Sequence, residues 1–94
     1  MGIKIVILSK AAKKDLRKVP FYIADKLETW VDAVERDGLE EIRKIPGYHD
    51  EPLHGDRKGQ RSIRLSKGYR AIYILKSDNS IEFVSVEEVN KHEY

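Results

Sequence analysis

Two arginines lie in a predicted β-hairpin at positions where strands usually carry apolar or neutral residues. The segment RSIRLSKGYRAIY, residues 61–73, reads as two short strands joined near Lys67 and Gly68. A three-residue loop over 66–68, with a bulge, would set Arg64 directly opposite Arg70. Like charges in that position repel each other, so an anion between the two side chains would explain them. Because guanidinium groups match phosphate geometry, the pair predicts a site that binds phosphate or stabilises charge on a phosphoryl oxygen.

Two other interpretations of the hairpin stay open. A two-residue turn would place Leu65 opposite Arg70 and put Arg70 on an apolar face. The arginines could instead form ion pairs with glutamates of the following strand, and the candidates are Glu82, Glu87 and Glu88. We favour the three-residue loop because it uses Gly68 where a positive φ is needed. In that register one face carries Ser62, Arg64 and Arg70, and the other carries Ile63, Leu65, Tyr69, Ala71 and Tyr73.

Groups that could transfer protons lie on both sides of the hairpin. His92 and Tyr94 follow the last predicted strand, which neighbours the hairpin, and both are suited to general acid–base catalysis. His54, in the preceding loop, is a further candidate acid or base, whereas His49 has no supporting context. The sequence contains no cluster of metal ligands. The residues are therefore similar to those of metal-free ribonucleases, in which a base deprotonates a ribose 2′-hydroxyl and arginines stabilise the phosphorane.

Positive charge is concentrated in two blocks although the net charge is only +2. Residues 1–24 and residues 52–70 each carry five more Lys and Arg than Asp and Glu, and the stretch between them is acidic. Lys58 and Arg61 belong to the second block, where they would extend the arginine pair into a basic track. Such a track suits a nucleic-acid backbone.

The elements that must position these groups follow from hydrophobic periodicity. Residues 3–8 predict a strand buried on both faces, and Ser9 can cap a short basic helix that continues towards Pro20. A second helix over 21–36 carries an apolar stripe with Trp30, ends at Gly38, and is followed by one or two further turns. A long loop over 46–60 precedes three strands, the last of which follows a turn at Asp78 and Asn79.

This order predicts an α+β fold. One N-terminal strand and a three-strand antiparallel meander would form a single curved sheet, with two to three helices on one face and the other face open. The 94 residues allow one domain, residues 1–94. The sequence has no cysteine, no apolar run of membrane-spanning length and no signal-peptide pattern, so we expect a cytoplasmic protein that does not engage a membrane.

Three segments resemble one known family over almost the whole chain. KDLRKVP, PLHGDRKGQRSIRLSKGYRAIYIL and VSVEEVNKHEY resemble the RelE/ParE superfamily of type II toxin-antitoxin toxins, in its RelE and HigB-like mRNA interferase branches. The most specific part is GYRAIY, whose arginine contacts the scissile phosphate in the RelE branch. The resemblance implies that role for Arg70, a second charge-stabilising role for Arg64, and base or acid roles for His92 and Tyr94. It also implies RNA contacts from His54, Arg57, Lys58, Arg61, Lys67 and Lys91.

The activity implied by the resemblance is ribosome-dependent cleavage of translated mRNA in the A site, without a metal or another cofactor. Expected partners are the ribosome with its mRNA and ribosomal RNA, and a small DNA-binding antitoxin that holds the toxin inactive. The main alternative is a ParE-like inhibitor of DNA gyrase that has no catalytic activity. A catalytically decayed toxin that only binds its antitoxin or RNA is the other alternative.

Overall fold

The computed structural model describes residues 2–89, which form three α-helices and one five-stranded sheet. In chain order the elements are β1 (Ile5–Leu8), α1 (Lys10–Leu16), α2 (Phe21–Asp37), α3 (Leu39–Arg43), β2 (Glu51–Pro52), β3 (Gln60–Ser66), β4 (Tyr69–Leu75) and β5 (Ser80–Glu88). Two 3-10 helices, Pro46–Tyr48 and Gly55–Arg57, flank β2. No helix among these residues is long and apolar enough to cross a membrane.

The sheet has the strand order β1-β5-β4-β3-β2. Its β3-β4-β5 meander is antiparallel, as predicted, and β1 pairs with β5 in parallel. The α+β class and the helices on one face are confirmed. The sequence did not predict β2, which has two exposed residues within the segment interpreted as a loop. Two residues that include a proline are too few to produce an alternating pattern.

The prediction that the first strand is buried on both faces is wrong. Strand β1 is an edge strand, and its side chains alternate between exposed and partly buried. Val6 and Leu8 pack against the core, whereas Ile5 is 60% exposed and Ile7 is 41% exposed. The described helices cover only one face of the sheet, so residues of β1 on the other face remain in contact with solvent.

Helix α1 is fixed to the sheet by polar contacts at both ends. The backbone N–H of Ser9 donates a hydrogen bond to the carbonyl oxygen of Phe83 in β5 (3.0 Å), and the Ser9 hydroxyl, as the predicted N-cap, accepts one from the backbone N–H of Ala12 (3.0 Å). The Asp15 carboxylate accepts one from the backbone N–H of Val86 (3.0 Å) in β5. The helix ends at Leu16, earlier than its sequence pattern predicted.

Helix α2 supplies most of the helical side of the core, as its apolar stripe predicted. Trp30 is fully buried and lies 5.6 Å from Tyr73 and 5.2 Å from Phe83, measured between ring centroids. Gly38 has φ of 89° at the junction with α3, a conformation that favours glycine. The core therefore lies between α2 and the inner face of β4 and β5.

Candidate functional site

The β3–β4 hairpin places the two arginines opposite each other, as the preferred register predicted. Arg64 pairs with Arg70, and the register shifts between Arg64 and Ser66 because of a bulge. The loop itself differs from the prediction. Ser66 pairs with Tyr69, so the strands are joined by a two-residue turn, and Gly68 is not among the residues with positive φ. The bulge alone therefore produces the register that we had assigned to a three-residue loop.

The two faces of the hairpin have the predicted composition. The inner face contributes Ile63, Leu65, Ala71 and Tyr73 to the core, and Tyr69 packs against it. On the outer face, Ser62 pairs with Ile72, and Ile72 pairs with Ser85 of β5. Arg64 and Arg70 form the next pair on that outer face, two residues further along each strand.

An open cleft of about 180 Å³ lies beside the arginine pair. Most of its lining residues are polar: the cations Arg64, Arg70 and Lys67, and also Ser62, Ser66, Tyr69, His49 and Glu51. Arg64 and Lys67 are exposed, and no ion pair within residues 2–89 involves either of them. Three cations facing one open cleft form an environment that attracts an anion.

Arg70 also contacts a carboxylate, as one of the alternative interpretations allowed. Its Nη2 donates to Glu87 Oε1 at 3.2 Å. Glu87 additionally accepts two hydrogen bonds from Arg57, at 3.0 and 2.7 Å, and one from the Ser85 hydroxyl at 2.9 Å. The loop that carries Arg57 therefore bends over the outer face of the sheet, and Glu87 links that loop to Arg70.

The hydrogen bonds from Arg57, with those from Ser85 and Arg70, lower the pKa of Glu87 from 4.5 to about 2. A carboxyl with a lower pKa in the folded state stabilises the fold fully above its unfolded pKa, and this contribution disappears as the pH falls towards 2. We expect Glu87→Gln to remove the part of acid destabilisation that occurs between about pH 4.5 and pH 2. Urea unfolding at several pH values would measure it. Glu82→Gln, on the same strand, is the matched control and should keep the wild-type acid dependence.

Arg61 lies away from the cleft. Its Nε donates to Asp50 Oδ1 at 2.7 Å, and the Tyr73 hydroxyl donates to Asp50 Oδ2 at 2.6 Å. The Asp50 side chain has no exposed surface, and burial followed by the bond to Asp50 raises the pKa of Tyr73. Arg61 thus anchors the segment before β2 to the core, and we leave it out of the RNA contacts proposed below.

The other predicted residues are not brought together in the cleft. His54 and Lys58 are exposed on the loop between β2 and β3, and neither lines the cleft. Lys91, His92 and Tyr94 lie outside the described residues.

His49 and Asp50 are the residues that the sequence reasoning missed. His49 has φ 46° and ψ 49°, a left-handed conformation that is uncommon for residues other than glycine, and it is one of the residues that line the cleft. Nothing in the local pattern distinguishes it from the other loop histidine. Asp50 could have been found only as an acidic residue close to a strand rich in arginine.

The fold and this site can now be compared with known proteins. Residues 6–89 match the family described as ParE toxin of type II toxin-antitoxin system, parDE. The chain belongs to this family. No curated protein sequence matches the toxin closely enough to count as a relative.

Solved structures of toxins share the fold at low sequence identity. The toxin superposes on the E. coli DinJ-YafQ toxin-antitoxin complex with a TM-score of 0.68 and 21% identity, covering 92% of each chain. For the YoeB/ParE toxin from Agrobacterium tumefaciens the TM-score is 0.66 with 17% identity, covering 92% of this chain and 99% of the other. For the YoeB-YefM complex from Staphylococcus aureus the TM-score is 0.67 with 19% identity, covering 90% of this chain and 95% of the other. These likenesses show that the chain has the same fold as these proteins.

Proposed function

We propose that this toxin is an endoribonuclease that cuts translated mRNA in the ribosomal A site. The observation that carries the proposal is the Arg64–Arg70 pair, held opposite each other by the hairpin register at an open polar cleft. Directly opposed arginines repel each other, and within residues 2–89 Glu87 pairs with Arg70 but not with Arg64, so an anion between the two guanidinium groups would relieve the repulsion. The phosphodiester group of RNA is an anion, and two guanidinium groups can donate hydrogen bonds to its oxygens from opposite sides.

The proposed reaction needs only groups that proteins carry. The ribose 2′-hydroxyl attacks the adjacent phosphorus while a base takes its proton, and the P–O5′ bond breaks while an acid protonates the leaving oxygen. The products are a 2′,3′-cyclic phosphate and a 5′-hydroxyl. Negative charge builds on the non-bridging oxygens in the transition state, and Arg64 and Arg70 stabilise it there.

The two arginines would contribute differently. Glu87 restrains Arg70, so its guanidinium is oriented before RNA binds. Arg64 is exposed and has no ion pair within residues 2–89, so it is available to the phosphate directly. Lys67, at the hairpin turn, would hold a neighbouring phosphate of the same strand. Arg57, His54, Lys58 and Lys91 remain proposed as peripheral RNA contacts.

For the proton transfers we keep His92, Tyr94 and His54 as candidates and add His49, because His49 is one of the residues that line the cleft. We expect His49→Gln to lower cleavage of translated mRNA by about a hundredfold, which is typical of an acid–base group. The comparison variant is His54→Gln, which tests the other loop candidate; because His54 does not line the cleft, we expect it to lose less activity than His49→Gln. Equal activity of His49→Gln and the wild-type toxin would exclude His49 from proton transfer.

The proposed partners are a small DNA-binding antitoxin and the ribosome with its mRNA and ribosomal RNA. Two structural neighbours, DinJ-YafQ and YoeB-YefM, are toxin-antitoxin complexes, which supports the first. The ribosome follows as a partner from the proposed substrate, which is translated mRNA. If the ribosome positions the message, orientation alone can supply about 7 to 11 kcal/mol of the barrier reduction. We place this function in the cytoplasm, where translated messages are found.

A direct test is to induce the toxin briefly in bacteria and map new 5′ ends on a translated and an untranslated copy of one message. The proposal expects cuts only in the translated copy, with a 5′-hydroxyl at each cut. An Arg70→Ala toxin, produced at the same level, should give about a hundredfold to a thousandfold fewer cuts. Cuts at equal frequency in both copies would mean that the ribosome is not required.

A second function is inhibition of DNA gyrase without catalysis, which the match to the ParE family favours. In the same experiment this function would give intact messages, growth arrest and double-strand DNA breaks. The arginine pair would then serve in binding. We rank it second because a binder needs neither opposed arginines nor a histidine beside them.

A further inference from the structure

The exposed face of helix α1 carries a row of cations that the fold does not use. Lys10, Lys13, Lys14 and Arg17 are spaced at i, i+3, i+4 and i+7, which places them on one face, and Lys18 follows. All five are exposed, and no ion pair within residues 2–89 involves any of them. The one acid in α1, Asp15, is bonded to the backbone of β5. Like charges at this spacing destabilise a helix, so helix stability does not explain why these cations share one face.

Two aromatic rings are exposed directly after this row. Phe21 is 84% exposed and Tyr22 is 62% exposed, which makes them the most exposed large apolar residues of the described chain. The next apolar residue of α2, Ile23, is fully buried. Burial in the core therefore cannot explain why residues 21 and 22 are aromatic. Their ring faces are open to a partner.

This surface is continuous with the arginine cleft. A depression beside α1 is lined by Lys18, Val19 and Tyr69, together with Asp15, Val86 and Glu88. Tyr69 also lines the cleft that holds Arg70. A strand bound in the cleft could thus continue past Tyr69 to Lys18 and the α1 row. Glu88 is the exposed acid along this path.

Charge on the neighbouring helix has the opposite sign. The exposed residues Asp25, Glu28, Asp32 and Glu35 form an acidic stripe along α2. Elsewhere, the exposed cations Arg36 and Lys44 each contact an acid, at 3.2 and 3.4 Å. The α1 row is therefore a local concentration of unneutralised positive charge, which favours a polyanionic partner.

We propose that this α1 face, defined as Lys10, Lys13, Lys14, Arg17, Lys18, Phe21 and Tyr22, is a second RNA-binding surface. The cations contact phosphates, and Phe21 and Tyr22 stack on unpaired bases. Its ligand is RNA with unpaired bases next to a dense backbone, as structured ribosomal RNA presents. The inference rests on the proposed function in taking RNA as the ligand, but it requires no cleavage.

The test measures binding of the full toxin to a 2′-O-methyl oligoribonucleotide, which cannot be cut because its 2′-oxygen is blocked. Affinity would be followed by fluorescence anisotropy at several salt concentrations. Arg17→Gln with Lys18→Gln should weaken binding and reduce the slope of log K against log salt by about 1.4, or about 0.7 for each lost phosphate contact. Arg36→Gln with Lys44→Gln removes the same charge elsewhere and should leave the slope unchanged.

Phe21→Leu with Tyr22→Leu keeps apolar bulk but removes the aromatic rings. It should lower affinity by about fivefold to a hundredfold for each base that stacks, with the salt slope unchanged. Because both side chains are exposed, the melting temperature of this variant should match that of the wild-type toxin.

Wild-type affinity and slope in both double variants would overturn the proposal. So would unchanged RNA binding together with lost binding to a co-expressed antitoxin, since the face would then be a protein interface. The outcome is separable from that of the nuclease. If the wild-type toxin binds the oligonucleotide through this face but cuts no translated message, the surface stands and the nuclease proposal fails.

Discussion

Arg70→Ala should lower cleavage of translated mRNA by about a hundredfold to a thousandfold while leaving the toxin folded. The size follows from removing one of the two groups that we propose to stabilise charge on the phosphorane. Folding should survive because Glu87 keeps its two hydrogen bonds from Arg57 and one from Ser85 when Arg70 is lost. The ion pair with Arg70 is partly exposed, and such pairs contribute only about 0 to 1 kcal/mol to stability.

Arg57→Ala is the matched control for this prediction. It also takes a guanidinium away from Glu87, but Arg57 does not line the cleft. We expect it to weaken RNA binding at most and to retain cleavage of bound message. Arg70→Lys tests the geometry separately, because it keeps the charge but loses the fork, and it should remain strongly impaired. A steep fall in melting temperature for Arg70→Ala would instead make Arg70 a structural partner of Glu87.

The largest effect on stability should come from Asp50→Ala, which we expect to lower the free energy of unfolding by about 3 to 5 kcal/mol. The Asp50 side chain is fully buried and accepts hydrogen bonds from Arg61 and Tyr73. Its removal leaves a partly buried positive charge and a buried hydroxyl without their acceptor. Domains of this size are stable by about 5 to 15 kcal/mol, so such a loss is a large fraction of the total.

Urea unfolding of three variants would test this prediction. Tyr73→Phe removes one hydrogen bond to a charged group and leaves Arg61 on Asp50, so it should cost about 1.5 to 3 kcal/mol. Glu51→Ala changes an exposed neighbour and should stay within about 0.5 kcal/mol of the wild-type value. An Asp50→Ala toxin as stable as Glu51→Ala would show that the buried network does not hold this segment.

Local pattern was enough to predict the elements that carry the site. The apolar stripe of α2 follows from short-range sequence and was observed. The pairing of Arg64 with Arg70 was also predicted locally, although from a three-residue loop where the structure has a two-residue turn and a bulge. The short-range sequence did not predict which acid each arginine contacts. Whether an arginine faces Asp50, Glu87 or open solvent depends on the path of the loop over 46–60, and a polar segment carries no periodicity that fixes this path.

The position of the cleft residues shows the same limit. Arg64 and Arg70 belong to one hairpin, so their relation is set within a few residues. His49 belongs to another part of the chain and lines the same cleft. Its own left-handed backbone conformation has no signature in the sequence. The sequence therefore predicted the pairing of Arg64 with Arg70, which is local, and missed His49, which the tertiary structure brings to the cleft.

The parallel pairing of β1 with β5 also has a consequence for synthesis of the toxin. Ile5 pairs with Ser80, so the first strand has no sheet neighbour until β5 has been made. Contacts of such long sequence separation form slowly, because the loop must close before they add stability. A nascent toxin therefore cannot complete its sheet while β5 is still in the ribosomal exit tunnel.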